Sequence, residues 1–152
     1  MKMDNSWTFS DIISSAGKLA YTVRGLSMLP LLRQGIDVVV IEKTEKPFKK
    51  YDAVLFQRRN GKYVLHRILK VYKGKYWIVG DNDITGEMID EEQIIGVMTS
   101  IKRGNRIVKT TDLGYRLYVH LWCDVYPVRF IMLRIKRFII RGYKFIKRRV
   151  FG

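Results

Sequence analysis

The 152-residue chain has little cysteine and no long apolar run, and both absences narrow what it can be. Its single cysteine, Cys123, excludes an intrachain disulfide and fits either a reducing compartment or a protein indifferent to redox conditions. Uninterrupted apolar runs such as Val38 to Ile41 are far shorter than the roughly 20 residues that a membrane-spanning helix needs. No apolar segment of the signal-peptide type follows the N-terminus. The sequence therefore predicts a cytoplasmic protein, peripheral at most to the inner membrane surface.

Acidic residues are also scarce, and their distribution is uneven. The chain holds 14 Asp and Glu against 29 Lys and Arg, a net charge of +15. Residues 102–152 hold 14 of the basic residues and 2 of the acidic ones, so that this segment alone carries +12. The basic character therefore belongs to the C-terminal segment and is a separate question from the chemistry of the rest of the chain.

Short β-branched stretches between turn residues dominate residues 1–110. The clearest is the alternating stretch from Tyr63 to Tyr72, which follows the turn pair Asn60–Gly61. A single helical pattern precedes these stretches, with Ser10 as its expected N-cap. We expect residues 1–110 to form a mainly β (α+β) domain: an antiparallel, partly barrel-like body of short strands behind a short N-terminal helix.

Residues 111–152 change to a helical period and are expected to form a basic amphipathic extension. Pro127 separates two helical patterns, residues 113–125 and residues 128–149. In the second pattern most apolar residues share one arc opposite most of the basic ones: Val128, Ile131, Met132, Ile135, Phe138, Ile139 and Ile146. Two interpretations stay open for this arc, docking onto the β body or binding to an anionic membrane surface.

Histidine is scarce too, and its scarcity limits the catalytic options. Of the two histidines only His66 lies in the predicted β body. Ser27 stands in the apolar stretch "GLSMLP", where a serine is either a turn residue or a nucleophile. A serine hydroxyl needs a neighbouring base near neutral pH, and a neutral imidazole supplies one. A carboxylate that orients the imidazole is expected in the turn cluster of residues 80–83.

Four stretches occur in the order in which the type I signal peptidase and LexA-like serine peptidase superfamily carries its motifs. They are "GLSMLPLLRQGIDVVVI", "KKYDAVLF", "YVLHRI" and "VGDND", and the similarity spans about residues 8–101. The chain resembles this superfamily in its serine followed by Met-x-Pro, its two Asp-containing strand starts, its base-bearing strand and its "GDN" turn. The resemblance implies a serine endopeptidase that cleaves a precursor, leader or signal-like peptide without a cofactor.

The resemblance also assigns roles to individual residues. Ser27 matches the nucleophile, and His66 matches the general base, which is lysine in typical bacterial members and histidine in the endoplasmic-reticulum, archaeal and sporulation-type branch. Asp81 matches the first of the acidic residues that assist this histidine, although an aspartate there also braces its own turn. Supporting positions, of which the first two fix the serine turn, are Met28, Pro30, Arg67, Asp83 and Glu87.

Three positions or segments depart from the family pattern. Gly25 replaces the hydroxyl residue of the bacterial oxyanion hole, so we expect backbone N–H groups around Ser27 to serve there. Glycine is missing from the pairs Ile36–Asp37 and Tyr51–Asp52, which we interpret as harmless drift. The usual membrane anchor before the serine is not seen, which favours a cytosolic leader or precursor as substrate.

Alternatives to an enzyme stay open. The main one is a non-catalytic module on a peptidase-like fold that binds a peptide or a membrane surface. His120 and Cys123 are three residues apart on a predicted helix, but two ligands make a poor metal site, so no metal is expected. The positive charge permits nucleic-acid binding, yet no helix-turn-helix, zinc or RNA-recognition signature accompanies it, and nucleic acid is not expected as a partner.

Overall fold

The computed structural model describes residues 7–44, 47–125, 131–135 and 138–139. Within these residues the order of elements is α1 (Phe9–Ala16), β1 (Lys18–Thr22), β2 (Val38–Glu42), β3 (Ala53–Gln57), β4 (Tyr63–Tyr72), β5 (Lys75–Val79), β6 (Gly86–Asp90), a short 3₁₀ helix (Glu91–Gln93), β7 (Ile94–Arg103), β8 (Arg106–Lys109) and α2 (Leu113–Asp124). The mainly β fold with an N-terminal and a C-terminal helix is as the sequence predicts.

All paired strands are antiparallel and form one eight-stranded sheet. Its order is β1-β2-β7-β3-β4-β5-β6, with β8 also paired to β7. Among the described strands no pairing joins β1 to β6, so the sheet does not close into a barrel. The expected antiparallel body is therefore confirmed, whereas its partly barrel-like form is replaced by an open sheet with β1 and β6 at its ends.

Strand β4 is buried on both of its faces, and this burial organises the core. Leu65 and Leu69 join a large cluster that also includes Ile13 of α1. Ile68, two positions from His66, joins a second cluster around Phe56 on the other face. Because side chains alternate along a strand, His66 and Arg67 must point to opposite faces of the sheet.

Helix α2 shares the core of the β body. Tyr115, Val119 and Cys123 recur at four-residue spacing and belong to the same cluster as Leu65. Residues 113–124 of the predicted extension are therefore packed on the sheet. Most of the rest of that extension lies outside the described residues. The described parts beyond α2 include residues 131–135 and 138–139, which are helical. No helix in the described part of the chain combines the length and the apolar character needed to cross a bilayer.

The elements differ from the expectations in two places, the N-terminal end of α1 and the presence of β6. The N-cap of α1 is Thr8 and not Ser10, because Thr8 Oγ1 accepts a hydrogen bond from the Asp11 backbone while the Asp11 carboxylate accepts one from Thr8. The helix ends at Gly17, which adopts the left-handed conformation with φ of 73°. Strand β6, which carries Glu87, was not predicted.

Candidate active site

Ser27 lies on a turn between β1 and β2 whose flanks are tied to the core. Gly25, two residues earlier, has φ of 87°, a conformation that strongly favours glycine. After the serine, hydrogen bonds from Leu29 to Leu26 and from Leu32 to Met28 close a short helical turn. Met28 and Leu32 are buried, whereas Pro30, joined to Leu29 by a cis peptide bond, is exposed. The turn thus holds the half-buried Ser27 at the edge of the core.

Asp37 fixes the C-terminal end of the serine segment. Its buried carboxylate accepts hydrogen bonds from the Arg33 backbone at 2.9 Å and the Arg33 guanidinium at 2.8 Å, and it lies 3.4 Å from Arg103 Nε. Burial works to raise the pKa of Asp37, but the hydrogen bonds and charges of the two arginines outweigh it and lower this pKa. The aspartate of the Ile36–Asp37 pair therefore has a structural role.

The turn at residues 80–83 docks directly onto the serine turn. Asn82 donates from its backbone to the Ser27 carbonyl at 2.7 Å and from its side chain to the Leu26 carbonyl at 3.2 Å. A Cβ at Gly80 would lie 2.5 Å from Asp83 Oδ2, 2.7 Å from the Ser27 carbonyl oxygen and 3.0 Å from Ser27 Cβ. A side chain at position 80 would therefore clash with both residues, and glycine allows the two turns to pack this closely. Ser27 Cβ and the Asp83 carboxylate both lie next to Gly80.

His66 is buried between two carboxylates. Its Nε2 lies 3.5 Å from Asp83 Oδ2, and its Nδ1 lies 3.7 Å from Glu87 Oε1. Desolvation lowers the pKa of His66 below its ordinary value, although the charges of Asp83 and Glu87 act in the opposite direction. The imidazole is therefore neutral near pH 7, the form in which it accepts a proton. Among the described residues Nδ1 has no hydrogen-bond partner.

Ser27, His66 and Asp83 line one cleft of about 760 Å³. The cleft is also lined by Tyr21 to Gly25, which run from the end of β1 towards the serine turn, and by Tyr63 to Leu65 of β4. No hydrogen bond between Ser27 Oγ and His66 is present among the described contacts. Bonds between catalytic groups are often long before substrate binds and tighten in the complex, so this arrangement is compatible with a nucleophile and its base.

Asp81 does not contact His66, in contrast to the sequence-based expectation. Its buried carboxylate receives two hydrogen bonds from Arg67, at 2.8 and 2.7 Å, and one from the Tyr118 hydroxyl at 3.2 Å. The physical reason is strand alternation, because Asp81 lies on the face of β4 that carries Arg67. The carboxylates beside His66 belong to Asp83 and Glu87, which the sequence placed among the supporting positions.

Arg67 is fully buried, and each nitrogen of its guanidinium group donates hydrogen bonds. Besides Asp81, its guanidinium donates to the Tyr51 carbonyl and the Tyr115 hydroxyl, both at 3.0 Å. Burial alone would lower the pKa of Arg67, but the Asp81 charge and hydrogen bonds hold it well above the usual value. Because Trp122 Nε1 also donates to the Asp81 carbonyl at 2.8 Å, this network joins β4, the 80–83 turn and α2.

One residue of the site, Arg58, went unrecognised in the sequence, and the backbone conformation of Tyr51, beside the Arg67 network, was not expected. Arg58, just after β3, donates from Nε to both Glu87 oxygens at 3.1 and 3.0 Å, with a further short contact from Nη2. Tyr51 has φ of 79°, where the family pattern has glycine, so its replacement is not neutral drift. The "KKYD" stretch could have indicated the unusual conformation at Tyr51, because tyrosine stands there in place of the family's glycine. No local pattern could have paired Arg58 with Glu87, because the strand that carries Glu87, β6, was not predicted.

His120 and Cys123, which the sequence analysis considered and rejected as metal ligands, each have contacts with other residues. His120 Nδ1 lies 3.1 Å from Asp124 Oδ2, and the His120 ring packs edge-on against Tyr51. Cys123 is buried in the core beside the Arg67 network. The described contacts of His120 and Cys123 are thus packing and polar contacts of α2 with its neighbours.

Comparison of the chain with protein-family models and with curated protein sequences finds no match. The likeness to signal peptidases and LexA-like peptidases thus remains one of ordered short motifs. What the protein does is accordingly inferred from the side chains that this chain brings together in the cleft.

Proposed function

We propose that this protein is a serine endopeptidase in which Ser27 is the nucleophile and His66 is the general base. The observation that supports this most is the shared cleft, where a buried neutral imidazole and the serine turn meet beside two carboxylates. A half-buried serine that shares an open cleft with a neutral base is an arrangement suited to acyl transfer.

The proposed reaction uses the two ring nitrogens differently. Nε2 lies on the side of Asp83, which borders Ser27, so Nε2 takes the Ser27 Oγ proton while Oγ attacks the peptide carbonyl. His66 then gives this proton to the leaving amine, and the resulting acyl-enzyme is hydrolysed by a water that His66 deprotonates. Glu87, on the side of Nδ1, and Asp83 stabilise the imidazolium.

The oxyanion is proposed to bind the backbone N–H of Ser27. Among the described residues this N–H makes no hydrogen bond to a backbone carbonyl, so it is available to a ligand. The left-handed Gly25 leaves the approach to Ser27 free of a side chain at that position. One such donor is worth about 3–4 kcal/mol of transition-state stabilisation in comparable sites.

The substrate is proposed to be an extended peptide added along the β1 edge of the sheet. Strand β1 has a partner on one side, β2, and ends where the cleft begins. Main-chain hydrogen bonds of an added strand would hold the peptide and bring its carbonyl carbon to Ser27. By its family resemblance, the site is expected to prefer small side chains next to the cut, in a leader or precursor peptide.

The test is cleavage of a diverse synthetic peptide pool, followed by mass spectrometry. Wild-type protein and the control Ser14→Ala, an exposed serine on α1, should release the same products. Ser27→Ala and His66→Gln should lower kcat/KM at least about 1,000-fold. Cleavage that survives Ser27→Ala would refute the proposal. Peptide binding without cleavage by wild-type protein would favour the non-catalytic module instead.

We also propose that residues 128–149 contact an anionic membrane surface, which would make the protein peripheral to the membrane. The part of this segment that the structure describes leaves five apolar side chains more than half exposed: Ile131, Met132, Ile135, Phe138 and Ile139. The 14 basic residues of 102–152 complement an anionic lipid surface. Reversal of Arg134, Arg137 and Arg141 to Glu should abolish co-sedimentation with anionic vesicles, whereas Ser27→Ala should not. Arg137 and Arg141 lie outside the described residues.

A further inference from the structure

Glu87 lies between Arg58 and His66 but accepts hydrogen bonds only from Arg58 among these two. On one side Arg58 binds both carboxylate oxygens through Nε, at 3.1 and 3.0 Å, and adds a short contact from Nη2. On the other side Nδ1 of His66 lies 3.7 Å from Oε1, beyond hydrogen-bond distance. A buried ring nitrogen thus lies next to a carboxylate that the arginine holds away from it.

Arg58 is itself held firmly at its base. Its backbone N–H donates to the Lys62 carbonyl at 2.9 Å, and its carbonyl accepts from Gly61 at 2.8 Å, which closes the tight turn between β3 and β4. From this turn the side chain reaches Glu87 on β6, and Arg58 also lines the cleft that contains Ser27 and His66. A bidentate arginine–carboxylate pair of this kind fixes orientation as well as distance.

We propose that Arg58 is a positioning residue that acts on His66 through Glu87. It keeps the carboxylate close enough to stabilise an imidazolium formed during the reaction, yet prevents a tight pair with the resting ring. The kinetic part of this inference rests on the proposed peptidase function, whereas its effect on the His66 ring does not.

The charged groups around His66 decide the expected direction. Asp83 and Glu87 lie beside its two nitrogens, Asp81 acts from farther away, and Arg58 is the positive group among them. Removal of the Arg58 charge, together with release of Glu87 towards Nδ1, favours the protonated ring. Arg58→Gln should therefore raise the pKa of His66 and shift the acid limb of kcat/KM to higher pH.

The experiment is an NMR titration of the His66 Cε1–Hε1 signal in the full chain. The chain has two histidines, so His120→Gln assigns the signal. The matched control is Arg59→Gln, which removes a charge of the same sign from the neighbouring residue. The Arg59 side chain is exposed and lies 3.7 Å from Asp90. Arg58→Gln should raise the His66 midpoint clearly beyond any change in Arg59→Gln, and Arg58→Lys should restore part of the difference. Equal midpoints in Arg58→Gln and Arg59→Gln would overturn the inference.

A second variant tests whether Glu87 transmits the effect. In the Glu87→Gln background, Arg58→Gln should shift the His66 midpoint much less than in wild-type protein. A shift of the same size in both backgrounds would mean that Arg58 acts directly, which contradicts the proposed route. A shifted midpoint without any peptide cleavage would leave this inference intact while refuting the peptidase function. Cleavage with an unshifted midpoint would do the reverse.

Discussion

The buried ion pair of Arg67 and Asp81 gives the sharpest prediction about stability. Both side chains have no exposed surface, and the carboxylate accepts two of the guanidinium's hydrogen bonds. Asp81→Asn keeps the size of the side chain but leaves the Arg67 charge buried without a counter-charge. Breaking a buried pair in this way costs about 3–5 kcal/mol of unfolding free energy. For a chain of this length, that loss lowers Tm by roughly 6–20 °C.

The assay is urea unfolding monitored by far-UV circular dichroism, with a matched surface control. Arg59→Gln removes a charge whose side chain is 89% exposed, and it should change the unfolding free energy by less than about 1 kcal/mol. The double variant Arg67→Gln/Asp81→Asn should lose less than the sum of the two single losses, since it leaves no unpaired charge. A loss for Asp81→Asn no larger than for Arg59→Gln would refute the reasoning that this pair holds the 80–83 turn in place.

Three further predictions follow from single positions. Gly80→Ala places a methyl group 2.7 Å from the Ser27 carbonyl oxygen, so it should displace the serine turn and lower both Tm and peptide cleavage, whereas unchanged cleavage would contradict the close approach. At Tyr51, where φ is 79°, the glycine variant should have an unfolding free energy about 1 kcal/mol higher than that of the alanine variant, measured by urea unfolding. This is the reverse of the usual order of the two residues. Because burial lowers the pKa of His66 in the folded state, the unfolded chain binds the proton more readily, and the unfolding free energy should fall as pH drops below about 6.5. Urea unfolding at pH 5 and 7.5 measures this fall, which His66→Gln should remove. An equal fall in the wild-type protein and in His66→Gln would contradict the prediction.

Local patterns were sufficient for most of the sheet. The bounds of β4 agree with the alternating stretch from Tyr63 to Tyr72, because turn residues flank this strand and limit it. Strand β6 was missed because Gly86–Asp90 holds a glycine, two acidic residues and a methionine and shows no clear alternation. It forms through its partner β5, and such pairing is not visible in a local window.

The sequence indicated part of the candidate site as a set of residues, but not Arg58 and not the contacts between the residues. Ordered motifs placed Ser27 and His66 in one region, and both line the same cleft. The choice between Asp81 and Asp83 depended on which face of β4 the turn residue approaches, and this is decided by tertiary packing against α2. Arg58 reaches the site through Glu87 on β6, a contact 29 residues away in sequence.

The most direct test of the central claim is the distance between Ser27 Oγ and His66 Nε2 in a high-resolution crystal structure of the wild-type protein. We expect a separation of about 3–4 Å, with Glu87 on the far side of the ring. A separation of about 8 Å or more, retained when a peptide occupies the cleft, would contradict the nucleophile–base pair and leave a peptide-binding module on this fold.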